Sequence, residues 1–244
     1  CQASQRSRQV VLDGLSRLEY RGYDSAGIAL ANPGKLNVIK AVGKLVNLRE
    51  AVDQDAPADA FAGIGHTRWA THGRPTVANA HPHVSPDGRF ALVHNGIIEN
   101  ADNLRAQLRA QGAVFASETD TEVVVHLLAQ AYDQADPTSY TGEVAGLSGT
   151  DEAVARRLVV AMREVTAKLE GTFTLLALST ESPKVIVAAR RSSPLVIGLG
   201  EGENFLGSDV LAFIEHTNRA VEIGQDQLVV VSASAVTVIG ADGN

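Results

Sequence analysis

The chain has 244 residues and a formal net charge of −7; 45% of its residues are apolar and 20% are charged. This length can bury a large core, and the composition is ordinary for a globular protein. The acidic balance and the lack of a Lys- or Arg-rich run argue against nucleic acid as a partner. We also expect no membrane association, because no long apolar run or signal-peptide pattern is visible. The single cysteine cannot form an internal disulfide, which suits the reducing cytoplasm.

The first half of the sequence predicts one helix followed by strands. Val11, Leu15 and Leu18 fall at helical spacing and predict an amphipathic helix from Arg8 to Tyr20. The strands predicted from apolar runs between turn residues are Gly27–Ala31, Leu36–Val42, Phe61–Gly65 and Phe90–His94.

The second half predicts helices and then strands. A helix is predicted over 100–111, a second begins at the capping-box pair Thr119 and Glu122, and a third runs from Val154 to about Gly171. Residues 136–150 are polar and longer than a usual connection, so we expect disorder there. The predicted strands that follow are Phe173–Ser179, Val185–Ala189, Leu195–Leu199, Gln227–Ser232 and Ala235–Ile239.

The run from His66 to Gly73, with the sequence HTRWATHG, is the most informative stretch of the chain. It follows a predicted strand, so we expect it to lie on a loop, where function concentrates. The planar guanidinium of Arg68 suits a carboxylate, the threonines supply hydroxyl groups, and the ring of Trp69 can form one side of a binding pocket. These residue types predict a pocket for a small zwitterion. The alternative is a turn whose polar groups pair only with each other.

Two further motifs, YRGYDSAG at Tyr20–Gly27 and HNGIIEN at His94–Asn100, accompany this run. Together with Cys1, they make the chain resemble the N-terminal-nucleophile (class II) glutamine amidotransferases, and among them the glutaminase domain of glutamine–fructose-6-phosphate aminotransferases. The resemblance runs from about residue 10 to the end. It implies one α+β domain over residues 1–244, a four-layer αββα sandwich with mostly antiparallel sheets. The mixture of many strands with helix pairs favours the same architecture.

Cys1 is the predicted nucleophile. A free thiol has a pKa of about 8.5 and an α-amine one of about 7.7–8, so the amine can take the thiol proton near neutral pH. Two other interpretations of Cys1 stay open, an arbitrary fragment start and the acylated first residue of a lipoprotein.

The residues after Cys1 depart from the family. The family has an apolar, glycine-containing strand there, whereas Gln2–Arg8 is polar and too short. Either that strand is absent or residues are missing, and we predict an apolar segment between Cys1 and Gln2.

The resemblance assigns further roles. Asn95 and Gly96 would form the oxyanion hole, although an Asn-Gly pair is also a common turn between strands. Arg68 would bind the α-carboxylate of glutamine and Asp120 its α-ammonium, although Asp120 could simply cap a helix. Residues 68–76 would form a flap over glutamine. The other residues implied in the pocket are Trp69 as the gate for ammonia, Thr71, His72 and Gly73 in its lining, and Arg21 near the amine of the nucleophile.

Five of the seven histidines lie within residues 66–94, so a metal-binding site is an alternative interpretation of this segment. No HExxH or paired-Cys spacing supports it, and no GxxxxGKS phosphate loop occurs, so we expect neither metal nor cofactor. The five are His66, His72, His81, His83 and His94.

The sequence therefore predicts hydrolysis of glutamine to glutamate and ammonia through a Cys1 thioester. The resemblance implies that a sugar isomerase domain, absent from this chain, uses the ammonia to make glucosamine 6-phosphate in a homodimeric full-length enzyme. Two alternatives remain: the glutaminase domain of another class II amidotransferase, such as the enzyme that starts purine synthesis or asparagine synthetase, and a catalytically inactive glutamine-binding regulatory domain. A glutaminase assay separates the last from the others.

Overall fold

A six-stranded antiparallel sheet lies at the centre of the computed structural model, which describes residues 6–69 and 73–240. Its two longest strands, β5 and β6, pair over nine residues, so the middle of this sheet is its most regular part. In spatial order its strands are β12 (Val236–Ile239), β11 (Leu228–Val231), β7 (Ile186–Arg191), β6 (Gly171–Ser179), β5 (Phe90–Ile98) and β4 (His83–Val84).

Two smaller sheets pack on one face of this sheet. The first has the order β2 (Lys35–Val42), β1 (Ser25–Asn32), β3 (Ala62–Arg68). The second has the order β10 (Ala220–Glu222), β8 (Val196–Leu199), β9 (Asn204–Gly207). All of their pairings are antiparallel, and β3 and β9 are edge strands.

Helices cover the two outer faces. The five described α-helices are α1 (Ser7–Leu18), α2 (Leu45–Asp55), α3 (Ala101–Ala110), α4 (Asp120–Gln134) and α5 (Gly149–Lys168). Short 3₁₀ turns follow at Glu19–Arg21, Pro137–Ser139 and Val210–Ala212. Helices α4 and α5 lie on the six-stranded sheet, whereas α1 and α2 lie on the β1–β3 sheet.

The alternation of side chains along each strand produces this layering. On β5, Phe90 and Leu92 point to the α4–α5 core, while Ala91 and Val93 point to the β1–β3 sheet. On β1, Ile28 contributes to the α1–α2 core from the opposite face. Because both faces of these strands are buried, the four layers are helix, sheet, sheet and helix, and the predicted αββα fold is confirmed.

Most predicted elements are present, with differences at their ends. Strand β3 continues through Arg68 and β5 through Ile98, so the first three residues of HTRWATHG and the first five of HNGIIEN lie inside strands. The expected disorder of residues 136–150 is wrong, because Tyr140 and Val144 are buried in the α4–α5 core. The elements without a sequence prediction are α2, β4, β9 and β10.

Candidate functional site

A cavity of about 630 Å³ opens between the two sheet layers, where β3 and β5 end. Arg68 and Trp69 line it from the β3 side, and Asn95 and Gly96 line it from β5. Asp120, at the start of α4, completes this end of the cavity. Three segments that are far apart in the sequence therefore converge on one site, which we call the amide site.

Asn95 and Gly96 lie within β5, opposite Thr174 and Phe173 of β6. They are not the turn between two strands that an Asn-Gly pair suggests. Gly96 has a φ of 130°, which L side chains rarely adopt, and a Cβ there would overlap the carbonyl oxygen of Thr172. Glycine is thus required at this point, where the strand backbone is exposed beside Asn95.

His66 fixes the side chain of Asn95. The ring Nε2 of His66 lies 2.7 Å from Oδ1 of Asn95. Burial lowers the pKa of His66 to about 4, so at neutral pH its ring is uncharged. A neutral ring that carries its proton on Nε2 donates to Oδ1, which leaves the amide NH₂ of Asn95 as a donor. The amide group is therefore held in one orientation.

Arg68 is the last residue of β3 and is buried, with 5% of its surface exposed. Its Nη2 donates to the carbonyl oxygen of Gly73 at 3.1 Å, and its Nη1 lies 3.6 Å from Oδ1 of Asp24. The expectation that His66, Thr67 and Arg68 lie on a loop is wrong, because all three belong to β3. The strand gives this guanidinium a fixed position at the cavity wall.

Trp69 and Gly73 border the part of the predicted flap that the structure leaves undescribed. The ring of Trp69 is 59% exposed and meets Tyr23 edge-on, with 5.4 Å between ring centroids. Gly73 has a φ of 76° and accepts the hydrogen bond from Arg68. Asn79 holds the following turn by donating to the carbonyl of Arg74 at 2.9 Å.

Asp120 links α4 to β5. Its Oδ2 accepts a hydrogen bond from the backbone N–H of Ile98 at 2.9 Å and lies 3.8 Å from Nδ1 of His94. The carboxylate of Asp120 is thus bonded to β5 two residues beyond Gly96. It also lies at the N-terminal end of α4, where the helix dipole favours a negative charge.

The predicted capping box at this helix start is only half right. Thr119 is the N-cap residue, but its hydroxyl contacts His83 and Ser117 instead of the helix backbone. Burial raises the pKa of Glu122, but hydrogen bonds from His126, from the Ser117 hydroxyl and from the N–H groups of Ala116 and Ser117 together lower it to about 2. The spacing of Thr119 and Glu122 predicts the start of α4 correctly. Their hydrogen bonds, however, connect α4 to the preceding loop.

Arg21 also borders the cavity, but its side chain is paired away from the amide site. Its Nη2 forms an ion pair with Oδ2 of Asp209 at 2.9 Å, and its Nη1 donates to the carbonyl of Ser208 at 3.4 Å. The side chain is 41% exposed. The remaining predicted site residues, Cys1, Thr71 and His72, lie outside the described residues.

Three of the crowded histidines form a packed cluster next to Asn95. The ring of His81 lies 4.3 Å from that of His66 and 5.0 Å from that of His83, centroid to centroid. Burial lowers the pKa of His83 to about 3 and that of His81 well below its usual value, so both rings are neutral. Within 6–69 and 73–240, no three His, Cys, Asp or Glu side chains are placed to share a metal ion.

Sequence reasoning missed the two contacts that orient this site. Asp24, beside Arg68, lies in the YRGYDSAG motif, so its position was signalled but its role was not. The contact between His66 and Asn95 joins residues 29 apart and depends on the packing of two sheets, for which the sequence carries no local signal. In the part of the chain that the structure describes, none of the helices is both long and apolar enough to span a membrane.

Comparison with known proteins gives consistent matches. The glutamine amidotransferase domain family matches residues 26–138. The chain is 52% identical over 240 residues to a glutamine–fructose-6-phosphate aminotransferase (isomerizing) of Streptomyces coelicolor, covering 98% of this chain and 36% of that protein. It is 53% identical over 234 residues to the enzyme of the same name from Leifsonia xyli, covering 96% and 35%. The chain thus spans about a third of the length of these curated relatives.

Two solved structures share the fold. The glutamine phosphoribosylpyrophosphate amidotransferase of B. subtilis superposes with a TM-score of 0.71 at 24% identity, over 94% of this chain and 46% of that one. A structure described as the allosteric regulatory enzyme of purine biosynthesis gives a TM-score of 0.75, also at 24% identity, over 96% and 46%. At this level of identity the likeness supports the fold alone.

Proposed function

This chain belongs to the glutamine amidotransferases, and we propose that it hydrolyses the side-chain amide of glutamine at the amide site. It is a glutamine amidotransferase domain homologous to the glutaminase domain of glutamine–fructose-6-phosphate aminotransferase. The observation that carries the proposal is the pair of donors on β5. The amide NH₂ of Asn95, oriented by His66, lies beside the exposed backbone of Gly96 at the wall of a cavity.

Each step of the proposed reaction has a residue to perform it. The thiol of Cys1 gives its proton to its own α-amine and attacks the amide carbon of glutamine. The negative charge that develops on the carbonyl oxygen is stabilised by Asn95 and Gly96. The amine then protonates the leaving nitrogen, ammonia departs, and a γ-glutamyl thioester remains. Water hydrolyses the thioester to give glutamate and restores the thiol.

The specificity for glutamine would come from its α-amino and α-carboxyl groups. Arg68 supplies a planar, bidentate donor for the carboxylate, and Asp24 forms an ion pair with that guanidinium at 3.6 Å. Asp120 supplies a negative charge for the ammonium group. We assign Thr71, His72 and Gly73 to the same pocket, Trp69 to a gate over it and Arg21 to its outer wall. Neither metal nor cofactor is needed for these steps.

The role in a larger enzyme belongs to the same proposal. We infer that a sugar isomerase domain receives the ammonia and aminates fructose 6-phosphate to give glucosamine 6-phosphate. The relatives that carry the name of this activity are about three times as long as the matched part. We place the full enzyme in the cytoplasm as a homodimer. The domain described here would supply only the ammonia.

An assay for glutamate and ammonia tests the proposal, using the protein with its natural N-terminus. Cys1→Ala should abolish ammonia release while glutamine still binds, because only the nucleophile is lost. An extra residue before Cys1 should abolish it too, because it removes the free amine. Full activity in either variant would show that the thiol or the amine of Cys1 has no such role. No activity in the unaltered protein, with glutamine still bound, would favour a regulatory domain.

A further inference from the structure

The start of α4 carries the residue that the proposed function assigns to the ammonium group of glutamine. Asp120 is the first residue of α4 and lines the cavity. Its Oδ2 accepts a hydrogen bond from the N–H of Ile98, at the end of β5. Within the described residues, the contact of its Oδ1 is a long one of 3.4 Å with the hydroxyl of Thr121, so this oxygen can still accept from a ligand. The position of the main chain at Asp120 therefore decides where the free oxygen lies.

Arg105 of α3 bonds the main chain immediately before Asp120. Its Nη2 donates to the carbonyl oxygen of Thr119, and its Nη1 donates to the carbonyl oxygen of Ser117 at 3.0 Å. The carbonyl of Thr119 belongs to the peptide group that links Thr119 to Asp120. Because a peptide group is planar, a bond to its oxygen also restrains the N–H and the Cα of the next residue. The guanidinium thus acts on Asp120 through the main chain.

The guanidinium of Arg105 has a closely defined position. The residue is only 9% exposed, although arginine is seldom buried to this degree. The ring of Phe115 lies against it, with 4.5 Å from Cζ to the ring centroid. Phe115 in turn stacks on His126 of α4, with 4.4 Å between ring centroids. Burial of a cation is costly unless its donors are satisfied, so the two carbonyls and the aromatic ring together fix this side chain.

Arg105 and Ile98 belong to one short segment, which holds Asp120 at two points. Strand β5 ends at Ile98, and α3, which carries Arg105, follows after a short turn. Ile98 bonds the carboxylate, whereas Arg105 bonds the preceding peptide group. The same strand carries the two donors of the proposed oxyanion hole. The segment therefore sets the separation between those donors and the carboxylate of Asp120.

Other contacts of this loop restrain Asp120 less directly than Arg105 does. The bonds between Glu122 and the loop are local, since Glu122 belongs to α4 and moves with Asp120. His83 contacts the hydroxyl of Thr119, a side chain that can rotate while the main chain moves. The bond from Arg105 joins the main chain before Asp120 to a different helix.

We propose that Arg105 is a positioning residue for substrate specificity, which holds the peptide group before Asp120 and so fixes the carboxylate where the α-ammonium group of glutamine binds. This inference rests on the proposed function, from which it takes the role of Asp120. Its consequence is that Arg105 affects the affinity for ligands with an α-ammonium group and not for those without one.

The test measures the affinity for glutamate and for glutarate by titration calorimetry, using the protein with its natural N-terminus. Glutamate carries the α-ammonium group and glutarate lacks it, and neither has an amide to hydrolyse. Arg105→Lys keeps the positive charge but offers a single nitrogen, which cannot bond both carbonyls as the guanidinium does. The control is Arg109→Lys, on the same helix and 5.6 Å from the centroid of the same Phe115 ring. Tm and ammonia release from glutamine are measured alongside.

The unaltered protein should bind glutamate more tightly than glutarate. Arg105→Lys should weaken glutamate binding about tenfold and leave glutarate binding within about twofold, because only the contact with the ammonium group is displaced. Arg109→Lys should match the unaltered protein. Added to Asp120→Asn, Arg105→Lys should have little further effect, since two residues that act through one contact are not additive.

The proposal is overturned if Arg105→Lys weakens both ligands equally, if it lowers Tm without changing the preference for glutamate, or if its effect adds in full to that of Asp120→Asn. It is also overturned if the unaltered protein does not distinguish the two ligands. Arg105→Gln, with one amide donor, is measured in the same way, and failure of both variants to fold would reject a positioning role. A lost preference in Arg105→Lys, in a protein that releases no ammonia from glutamine, would uphold the role of Arg105 and reject the proposed hydrolysis.

Discussion

At the scale of single residues, Gly96 and His66 determine the geometry of the amide site. Gly96 permits the backbone to turn at a φ of 130° with Thr172 in close contact. His66 then holds the neighbouring amide of Asn95 through one hydrogen bond of 2.7 Å. Both residues set the direction in which the donors of the site point. The site is therefore sensitive to small changes that leave all its charges intact.

Substitution of Gly96 tests this sensitivity. Gly96→Ala should destabilise the protein by about 2–4 kcal/mol, because a methyl group meets the Thr172 carbonyl in a backbone conformation unfavourable to L residues. The control is Gly88→Ala, where φ is 75° but a Cβ would meet open space, and where the cost should be about 1 kcal/mol. Urea denaturation measures both. Equal losses in the two variants would mean that the contact with Thr172 carries no weight.

At the scale of elements, the site depends on the junction of β3, β5 and the start of α4. Oδ2 of Asp120 accepts a hydrogen bond from the backbone of β5. Asp120 can therefore stabilise the contact between α4 and β5, supply a negative charge for the ammonium group of glutamine, or do both. The two roles can be separated, because an asparagine retains an acceptor oxygen and loses the charge.

Asp120→Asn should raise KM for glutamine about tenfold or more while Tm stays nearly constant, since a charge-assisted bond is worth about 1.5–3 kcal/mol. Asp120→Ala should raise KM and lower Tm together. Asp102→Asn, an exposed residue in the first turn of α3, serves as the control and should change neither. If KM is unaffected in Asp120→Asn but Tm falls, Asp120 is only a structural residue.

The elements also show what the sequence could and could not predict. Long strands such as β6 and helices such as α5 carry strong periodicity and appear where expected. Helix α2 was missed although Leu45, Leu48 and Val52 are buried at helical spacing, because its segment also contains many polar residues. The short edge strand β9 has no pattern of its own. The extension of β5 through Asn95 and Gly96 is set by pairing with β6, which local sequence does not encode.

At the scale of the whole molecule, the sandwich buries histidines in neutral form beside the site. His81 and His83 are 5% and 4% exposed, and burial holds their pKa values far below the usual 6.5, to about 3 for His83. The folded state therefore binds fewer protons than the unfolded state wherever the unfolded histidines are protonated. Under that condition stability rises with pH.

The free energy of unfolding should consequently fall as pH drops from about 6.5 toward 4. Between pH 7.5 and 5.5 the expected loss is about 1 kcal/mol for each of His81 and His83, because the unfolded chain takes up protons that the folded chain excludes. Urea denaturation at the two pH values measures it. The variant His83→Gln should show a smaller loss. A stability that is constant or higher at pH 5.5 would contradict the neutral, buried state of the cluster.

We propose that the paired donors on β5, Asn95 and Gly96, stabilise the charge that forms when glutamine is hydrolysed. The most direct test of this proposal is steady-state ammonia release by the protein with its natural N-terminus, compared with Asn95→Ala and with Asn47→Ala on α2 as the control. Asn95→Ala should lower kcat by about 10²–10³ and leave KM for glutamine within about threefold, since the lost donor acts only in the transition state. Asn47→Ala should match the unaltered protein. A kcat that is unchanged in Asn95→Ala, or a loss that appears only in KM, would show that Asn95 does not stabilise the transition state.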